Sequence, residues 1–416
     1  EKLIHNQLCS FFDVHKLISD AQYGFRKNKS TELALLEQKE FILSEFEKKN
    51  FILGIYVDFS KAFDCIHHLT LLKKLEIYGI RGHFLELIKS YLSFRQQFVQ
   101  IEQYRSELKS IIKGVPQGSI LGPLLFNIYI NDLTNLSPEP KYVLYADDAS
   151  IFLSAPDCHI LHSDANSLLT KLKTWSIANH LSINVNKTKA VIFRPKSRQL
   201  NFHVNLIYSG APIEITNNIK ILGVTFSQSM LWDGHIDAVL TKLSRAVGII
   251  SRYRAFFPYQ VKILLYNSLF YSHLNYCFLI WGTTTYTNLQ KIFILQKKLI
   301  RILFNQSYNS HSQGLFPKAN IIPVFNLYNY KLTLAFQREL KNHLKSLHEV
   351  SLLEKRTVCY PTRHKEEWIV PTPRTNYAME KLSFTLPTLL NNYKKSGTDL
   401  FKISKRELRQ LHCIHS

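Results

Sequence analysis

Residues Tyr145-Ala146-Asp147-Asp148 constrain this chain more than any other stretch. They lie between two short apolar runs, Tyr142-Val143-Leu144 and Ile151-Phe152-Leu153, each the length of a buried strand. The pattern predicts a β-hairpin with two adjacent carboxylates at its turn. Like charges held that close repel, so the pair requires a cation, a shared proton or full solvation. An isolated Asp-Asp would more often be an ordinary surface turn. A second acidic strand end alters that balance: Ile52-Leu53-Gly54-Ile55-Tyr56-Val57 is a continuous apolar run that stops at Asp58. If the hairpin pairs beside this strand, Asp58, Asp147 and Asp148 converge at one sheet edge. Three carboxylates suit hard Mg²⁺ ions completed by phosphate oxygens better than any His or Cys set would. Two such ions activate a hydroxyl and stabilise a leaving pyrophosphate, which is phosphoryl-transfer chemistry.

A third segment, Gly114-Val115-Pro116-Gln117-Gly118-Ser119, is turn-rich and opens into the apolar run Ile120 to Ile130, predicted to be a buried helix. Glycines let the backbone approach a ligand, and a helix start favours anions. Taken alone, this is equally a plain loop-to-helix join.

The ordered series GFRKNKST (24–31), VDFSKAFD (57–64), GVPQGSILGP (114–123), YADD (145–148), NVNKT (184–188) and ILGV (221–224) resembles reverse transcriptase. More narrowly, it is similar to the polymerase of non-LTR, LINE-type retrotransposons of the jockey-like group. The resemblance continues through Trp232, His235, Tyr276, Trp281-Gly282 and the run Gln296 to Arg301, and reaches Arg374 to Tyr377. It implies an α+β right-hand polymerase fold: partial fingers, a palm with an antiparallel sheet and helices, a helical thumb, and a mostly helical or irregular tail. Fingers and palm are expected over 1–230, thumb over 231–305, and a basic, partly disordered region over 306–416.

Carried onto matching positions, the resemblance makes Asp58, Asp147 and Asp148 the ligands of two Mg²⁺ ions, with Mn²⁺ as a substitute. Phe63 matches the aromatic gate that would clash with a 2′-hydroxyl, although a core role has even standing. Arg26 matches the arginine that neutralises the triphosphate, and Gln117 and Gly118 match the nucleotide and template pocket. Lys187 matches the lysine that protonates departing pyrophosphate, and a solvated turn lysine would look the same. Leu222 and Gly223 match the primer grip. The implied reaction is RNA-directed DNA synthesis from dNTPs on an RNA template, extending a DNA primer or RNA–DNA hybrid. In such elements the synthesis is target-primed in the nucleus after cytoplasmic RNA–protein assembly. About twenty residues precede the GFR motif, so an N-terminally truncated frame with incomplete fingers is expected. A catalytically inactive nucleic-acid-binding remnant is the alternative.

Asp64 reads as the N-cap of a helix over Cys65–Glu76. Charge is uneven: Lys and Arg exceed Asp and Glu by +21 overall, with +5 over 1–231 and +16 over 232–416. The excess beyond the acidic motifs predicts a surface for a polyanion. In 242–253, Lys242, Arg245 and Arg252 share a helical face opposite Leu243, Val247 and Ile250. In 289–304, Ile292, Leu295, Leu299 and Leu303 form a stripe opposite Lys291, Lys298 and Arg301. Tyr253, Phe256, Phe257 and Tyr259 interleave with the basic residues and read mainly as packing residues, with stacking on bases as the alternative for some. A long helix is expected near Val324–Leu347. Six scattered cysteines (Cys9, Cys65, Cys158, Cys277, Cys359, Cys413) form no CxxC pair, which argues against a zinc ribbon or a disulfide framework. Val261–Gly282 is apolar but interrupted by Lys262, Asn267, His273 and Asn275, so it predicts a packed helix and no membrane span. With no signal-peptide pattern, an intracellular protein is expected.

Overall fold

The computed structural model describes residues 1–200, 204–356, 367–400 and 402–414. Cys359, Pro361 and His415 lie outside the described residues. The chain divides into two compact units, Glu1–Ala34 with Lys49–Ile219, and Leu35–Lys48 with Lys220–Ser416.

The first unit is built on a five-stranded sheet. Its strands are β1 (Phe51–Val57), β2 (Lys141–Tyr145), β3 (Asp148–Ala155), β4 (Lys189–Phe193) and β5 (Glu214–Ile215), in the order β5-β4-β1-β3-β2. Every residue of β1 is buried, as an unbroken apolar run in a central strand requires. The β1, β2, β3 and β4 pairings are antiparallel, and only β5 runs parallel to its neighbour. Leu53, Ile55 and Val57 alternate onto the face that carries the main core. That core also takes Leu124, Leu125 and Ile128 from the helix Gly122–Ile130, and Leu161, Leu168, Leu169 and Leu172 from the helix Cys158–Ala178. Between the helices Gly82–Leu92 and Gly122–Ile130 run two short ribbons, Gln96–Gln97 with Lys109–Ser110 and Gln100–Ile101 with Tyr104–Arg105.

One local expectation is corrected here. The helix after the Phe63 turn is His68–Ile77, with His67 at its N-cap. Asp64 instead closes a 3-10 turn, Ala62–Asp64, and its carboxylate accepts the Gln117 amide at 2.9 Å. A tertiary partner has taken the oxygen that would otherwise cap a helix.

The second unit is helical. Asp233–Arg252 buries Leu243, Val247 and Ile250, and Tyr286–Leu303 buries Ile292, Leu299 and Leu303 of its predicted stripe while Leu295 is half-buried. Lys242, Arg245, Arg252, Lys291 and Lys298 are exposed, whereas Arg301 is half-buried and donates to Ser310 O. Phe256 is 80% exposed, whereas the partly exposed Tyr253 and Tyr259 rings meet Phe257 at 5.7 Å and Phe304 at 5.3 Å. The expected helix over 261–282 is broken: Tyr259–Leu265 leads into a π-helical stretch, Tyr266–Tyr271, and then two single turns separated at Cys277, whose φ is +47°. Among the described residues no helix is long and apolar enough to cross a membrane. Val324–Lys341 forms the expected long helix, which ends before a separate turn at Ser346–Ser351.

Residues 35–48 of the helix Thr31–Glu47 and its end belong to this second unit, and they carry unusual burial. Lys39 is fully buried, and its Nζ donates to Thr283 Oγ1 at 2.9 Å. Glu40 accepts the Leu382 N–H at 2.7 Å, and burial pushes its carboxyl up to about 7. Glu380 accepts from the Trp232 indole and the Thr283 hydroxyl, both at 3.4 Å. These bonds satisfy charges that would otherwise be costly inside a core.

Candidate active site

The acidic residues meet through strand register. β1 pairs with β3 up to Val57 opposite Ala149, and continuing by one residue brings Asp58 opposite Asp148. β2 and β3 pair up to Tyr145 opposite Asp148, which leaves Ala146 and Asp147 as a two-residue turn. The first turn residue, Ala146, has φ +55°, the left-handed conformation that tight hairpins demand. Asp58 and Asp147 are half-buried and Asp148 is exposed. The Asp148 carboxyl nevertheless lies above its ordinary range, chiefly because neighbouring protein atoms displace water, and further because the Asp147 and Asp58 charges oppose its ionisation.

Asp58 is clamped from the other side of β1 by the NVNKT turn. Its N–H donates to Thr188 Oγ1 at 3.2 Å, and its carbonyl accepts the Asn184 N–H at 2.8 Å. Thr188 is 1% exposed, so this support is part of the core. Lys187, next to it, is exposed, and its backbone N–H bonds back to Asn184. Thr188 ends the NVNKT series, but only the fold shows its hydroxyl bonded to Asp58.

The GFR segment docks on the hairpin. Tyr23 N–H donates to Leu144 O at 2.7 Å and Leu144 N–H to Ala21 O at 2.8 Å, which adds a short edge to β2. A Cβ on Gly24 would stand 2.3 Å from the Ala146 nitrogen, a distance no side chain survives. Arg26 turns back on the same loop, where Nη1 donates to Ser19 O at 2.8 Å.

Phe63 is half-buried, neither core nor free. Its ring stacks on Phe126 at 4.4 Å and meets the exposed Phe25 edge-on at 6.5 Å. The Gly114–Ser119 loop is stitched to this turn: Val115 N–H donates to Phe63 O at 3.0 Å, Gly114 N–H to Ile66 O at 2.7 Å, and Gln117 to Asp64. Gly118, with φ +80° and open space where a Cβ would be, leaves its backbone bare. Beside the loop a polar cavity of about 730 Å³ is lined by Lys61, Asp64, Arg95, Lys113 and Gln117, among others. Asp58, Asp147, Asp148, Lys187, Arg26, Phe63, Gln117 and Gly118 thus all belong to the first unit. Leu222 and Gly223 belong to the second; they form the turn between the strands Asn218–Ile221 and Val224–Ser227.

The donor set fits a hard divalent cation: carboxylate oxygens only, with the Asp148 carboxyl raised first by burial and then by the Asp147 and Asp58 charges. Among the described residues no group of three or more His, Cys, Asp or Glu is gathered tightly enough to hold a metal unaided. Mg²⁺ rarely needs such a cage, since it keeps waters and takes substrate phosphates alongside one or two carboxylates.

Residues 1–226, over half the chain, match the family described as "Reverse transcriptase (RNA-dependent DNA polymerase)". The chain belongs to the reverse transcriptase family. With it go the α+β polymerase fold and the order of motifs seen in the sequence. The chain is similar to the RNA-directed DNA polymerase from mobile element jockey of Drosophila melanogaster, at 30% identity over 72% of this chain and 34% of that protein. It is also similar to the probable RNA-directed DNA polymerase from transposon X-element of the same fly, at 24% over 83% and 38%. A third relative, the probable RNA-directed DNA polymerase from transposon BS, is 26% identical over 77% and 36%. The jockey-like resemblance is borne out. The chain spans about a third of the length of these reverse transcriptase relatives. Among solved structures, apo telomerase from Candida tropicalis is similar at TM-score 0.44 and 12% identity, covering 82% of this chain and 58% of that one.

Proposed function

We propose that the chain is the polymerase portion of a jockey-like non-LTR retrotransposon, extending a primer 3′-hydroxyl with dNTPs on an RNA template. The observation that supports this reading most is strand register: Val57 pairs with Ala149 and Tyr145 with Asp148, so Asp58, the Asp147 turn and Asp148 lie at one end of adjoining strands. In this reading the three aspartates hold two Mg²⁺ ions, which when bound would acidify the primer hydroxyl and neutralise the leaving pyrophosphate. Lys187, exposed on the turn that clamps Asp58, is the proton donor to that leaving group. Arg26 pairs with the triphosphate, and Gln117 with the bare backbone at Gly118 lines the nucleotide and template pocket. Phe63, half-exposed and braced by Phe126, excludes a 2′-hydroxyl. The Leu222–Gly223 turn grips the primer, and the exposed basic faces of Asp233–Arg252 and Tyr286–Leu303 belong to a thumb that holds duplex phosphates.

Primer extension on an RNA template, with Asp147→Ala as control, tests the reading. Incorporation of dNTPs by the unmutated chain and not by the variant is expected. If neither incorporates, yet both bind primer–template, the chain is a silent nucleic-acid binder, as its basic helix faces would permit.

A further inference from the structure

The loop that carries Gly24 and the turn that carries Asp147 share one side-chain acceptor. Gln22 is 2% exposed, and its Oε1 accepts the backbone N–H of Gly24 at 2.8 Å and that of Ala146 at 3.1 Å. Because one oxygen receives both, the amide orientation is decided: flipped, it would aim donors at donors. Asn127, also 2% exposed and in the helix Gly122–Ile130, donates through Nδ2 to Gly24 O at 2.8 Å. Both polar groups of the Gly24 backbone are therefore held by buried side chains.

Two further facts give this arrangement a purpose beyond packing. Ala146 sits at φ +55° without being glycine, a conformation that persists only where its surroundings enforce it. Gln22 Nε2 and Asn127 Oδ1 are both buried and, among the described residues, without a partner. A site that needed only to fill space would be better served by leucine than by two half-satisfied amides.

We infer that Gln22, braced through Gly24 by Asn127, is a positioning residue: it enforces the conformation of Ala146 and thereby aims the Asp147 carboxylate. The inference rests on Asp147 serving catalysis, but the conformational link from Gln22 to the turn can be read without turnover.

The test uses the full chain and two readouts. Gln22→Met keeps length and volume and removes the acceptor, Gln22→Asn is too short to reach both N–H groups, and Gln22→Glu restores an acceptor oxygen. Backbone hydrogen exchange should accelerate at Ala146 and Gly24 in Gln22→Met and Gln22→Asn, stay unchanged across Phe51–Val57, and recover in Gln22→Glu. In primer extension, kcat should fall about 100-fold in the first two, as small misplacements of reacting groups do, with the dNTP KM nearly constant and partial recovery in Gln22→Glu. Unchanged exchange at Ala146 in a folded Gln22→Met or Gln22→Asn chain would overturn the inference. So would acceleration spread equally over Phe51–Val57, which would mean general destabilisation. If the unmutated chain incorporates no dNTP, the catalytic reading fails by itself, and the exchange measurement still decides the role of Gln22 in holding the turn.

Discussion

The Tyr276 hydroxyl donates to the Leu222 carbonyl at 2.7 Å, and its ring edge lies 3.1 Å from where a Gly223 Cβ would stand. Leu222 and Gly223 both have positive φ, +44° and +84°, so this hairpin turn is strained at one residue and intolerant at the next. Tyr276→Phe should cost about 1 kcal/mol through the lost hydrogen bond. Gly223→Ala should cost about 1–2 kcal/mol from the left-handed backbone. Urea unfolding reads both, and faster primer–template dissociation in both variants would tie the turn to the primer.

Asp147→Asn should abolish incorporation while making the metal-free chain slightly more stable at pH 7. A carboxyl whose folded pKa is raised binds more protons folded than unfolded, so stability declines as pH rises through that window. Removing the Asp147 charge lowers Asp148 toward its ordinary value and flattens the decline. Asp148 is open to water, so the gain is small, about 0.5 kcal/mol. Urea titrations at several pH values without divalent cations measure it, and a steeper decline in the variant would contradict the coupling.

His235 is buried against Trp281 at 5.4 Å, and its Nδ1 accepts the Thr225 N–H at 3.3 Å. Burial, with Lys242 and Lys220 adding to it, lowers its pKa to about 4. Between pH 6.5 and 4 the unfolded imidazole is protonated and the folded one is not. Stability of the second unit should therefore fall by about 3 kcal/mol over that window and level off below it. His235→Gln keeps an acceptor for Thr225 and removes the titration, so its stability should depend less on pH across the same range.

Gly24→Ala places a methyl 2.3 Å from the Ala146 nitrogen, backbone against backbone, where neither partner can yield cheaply. The GFR loop should lift from the hairpin, at a cost of about 2 kcal/mol or more. Incorporation should drop by about 100-fold or more, since the carboxylates lose their register. Normal activity in this variant would mean that the close approach is dispensable.

Phe63→Val removes a ring stacked on Phe126 and edge-on to Phe25. Discrimination against ribonucleotides should relax by about 10-fold or more, for a modest loss of stability near 1 kcal/mol. Competition between NTP and dNTP in primer extension measures this. Unchanged selectivity would return Phe63 to a packing role.

Local pattern was sufficient for the strands and helices that bury one stripe or one run. The apolar run Ile52–Val57 reads as a buried strand, and the Asp147 turn as the link between the apolar runs 142–144 and 151–153. The stripes read in 242–253 and 289–304 likewise specify buried faces of the helices Asp233–Arg252 and Tyr286–Leu303. These features repeat within a few residues, so the chain alone determines them, and with them the positions of the aspartates at the strand ends. The sequence leaves undecided whatever depends on a partner far along the chain. Thr188 supports Asp58 across 130 positions, and Gln22 reaches Ala146 across 124. Asp64 turned from an expected helix cap to Gln117, 53 residues away, and the helix expected over 261–282 broke at a π-turn and a left-handed Cys277. No local period encodes such pairings. Only the folded chain decides which buried oxygen meets which N–H, because each polar group bonds to whatever the packing brings within reach.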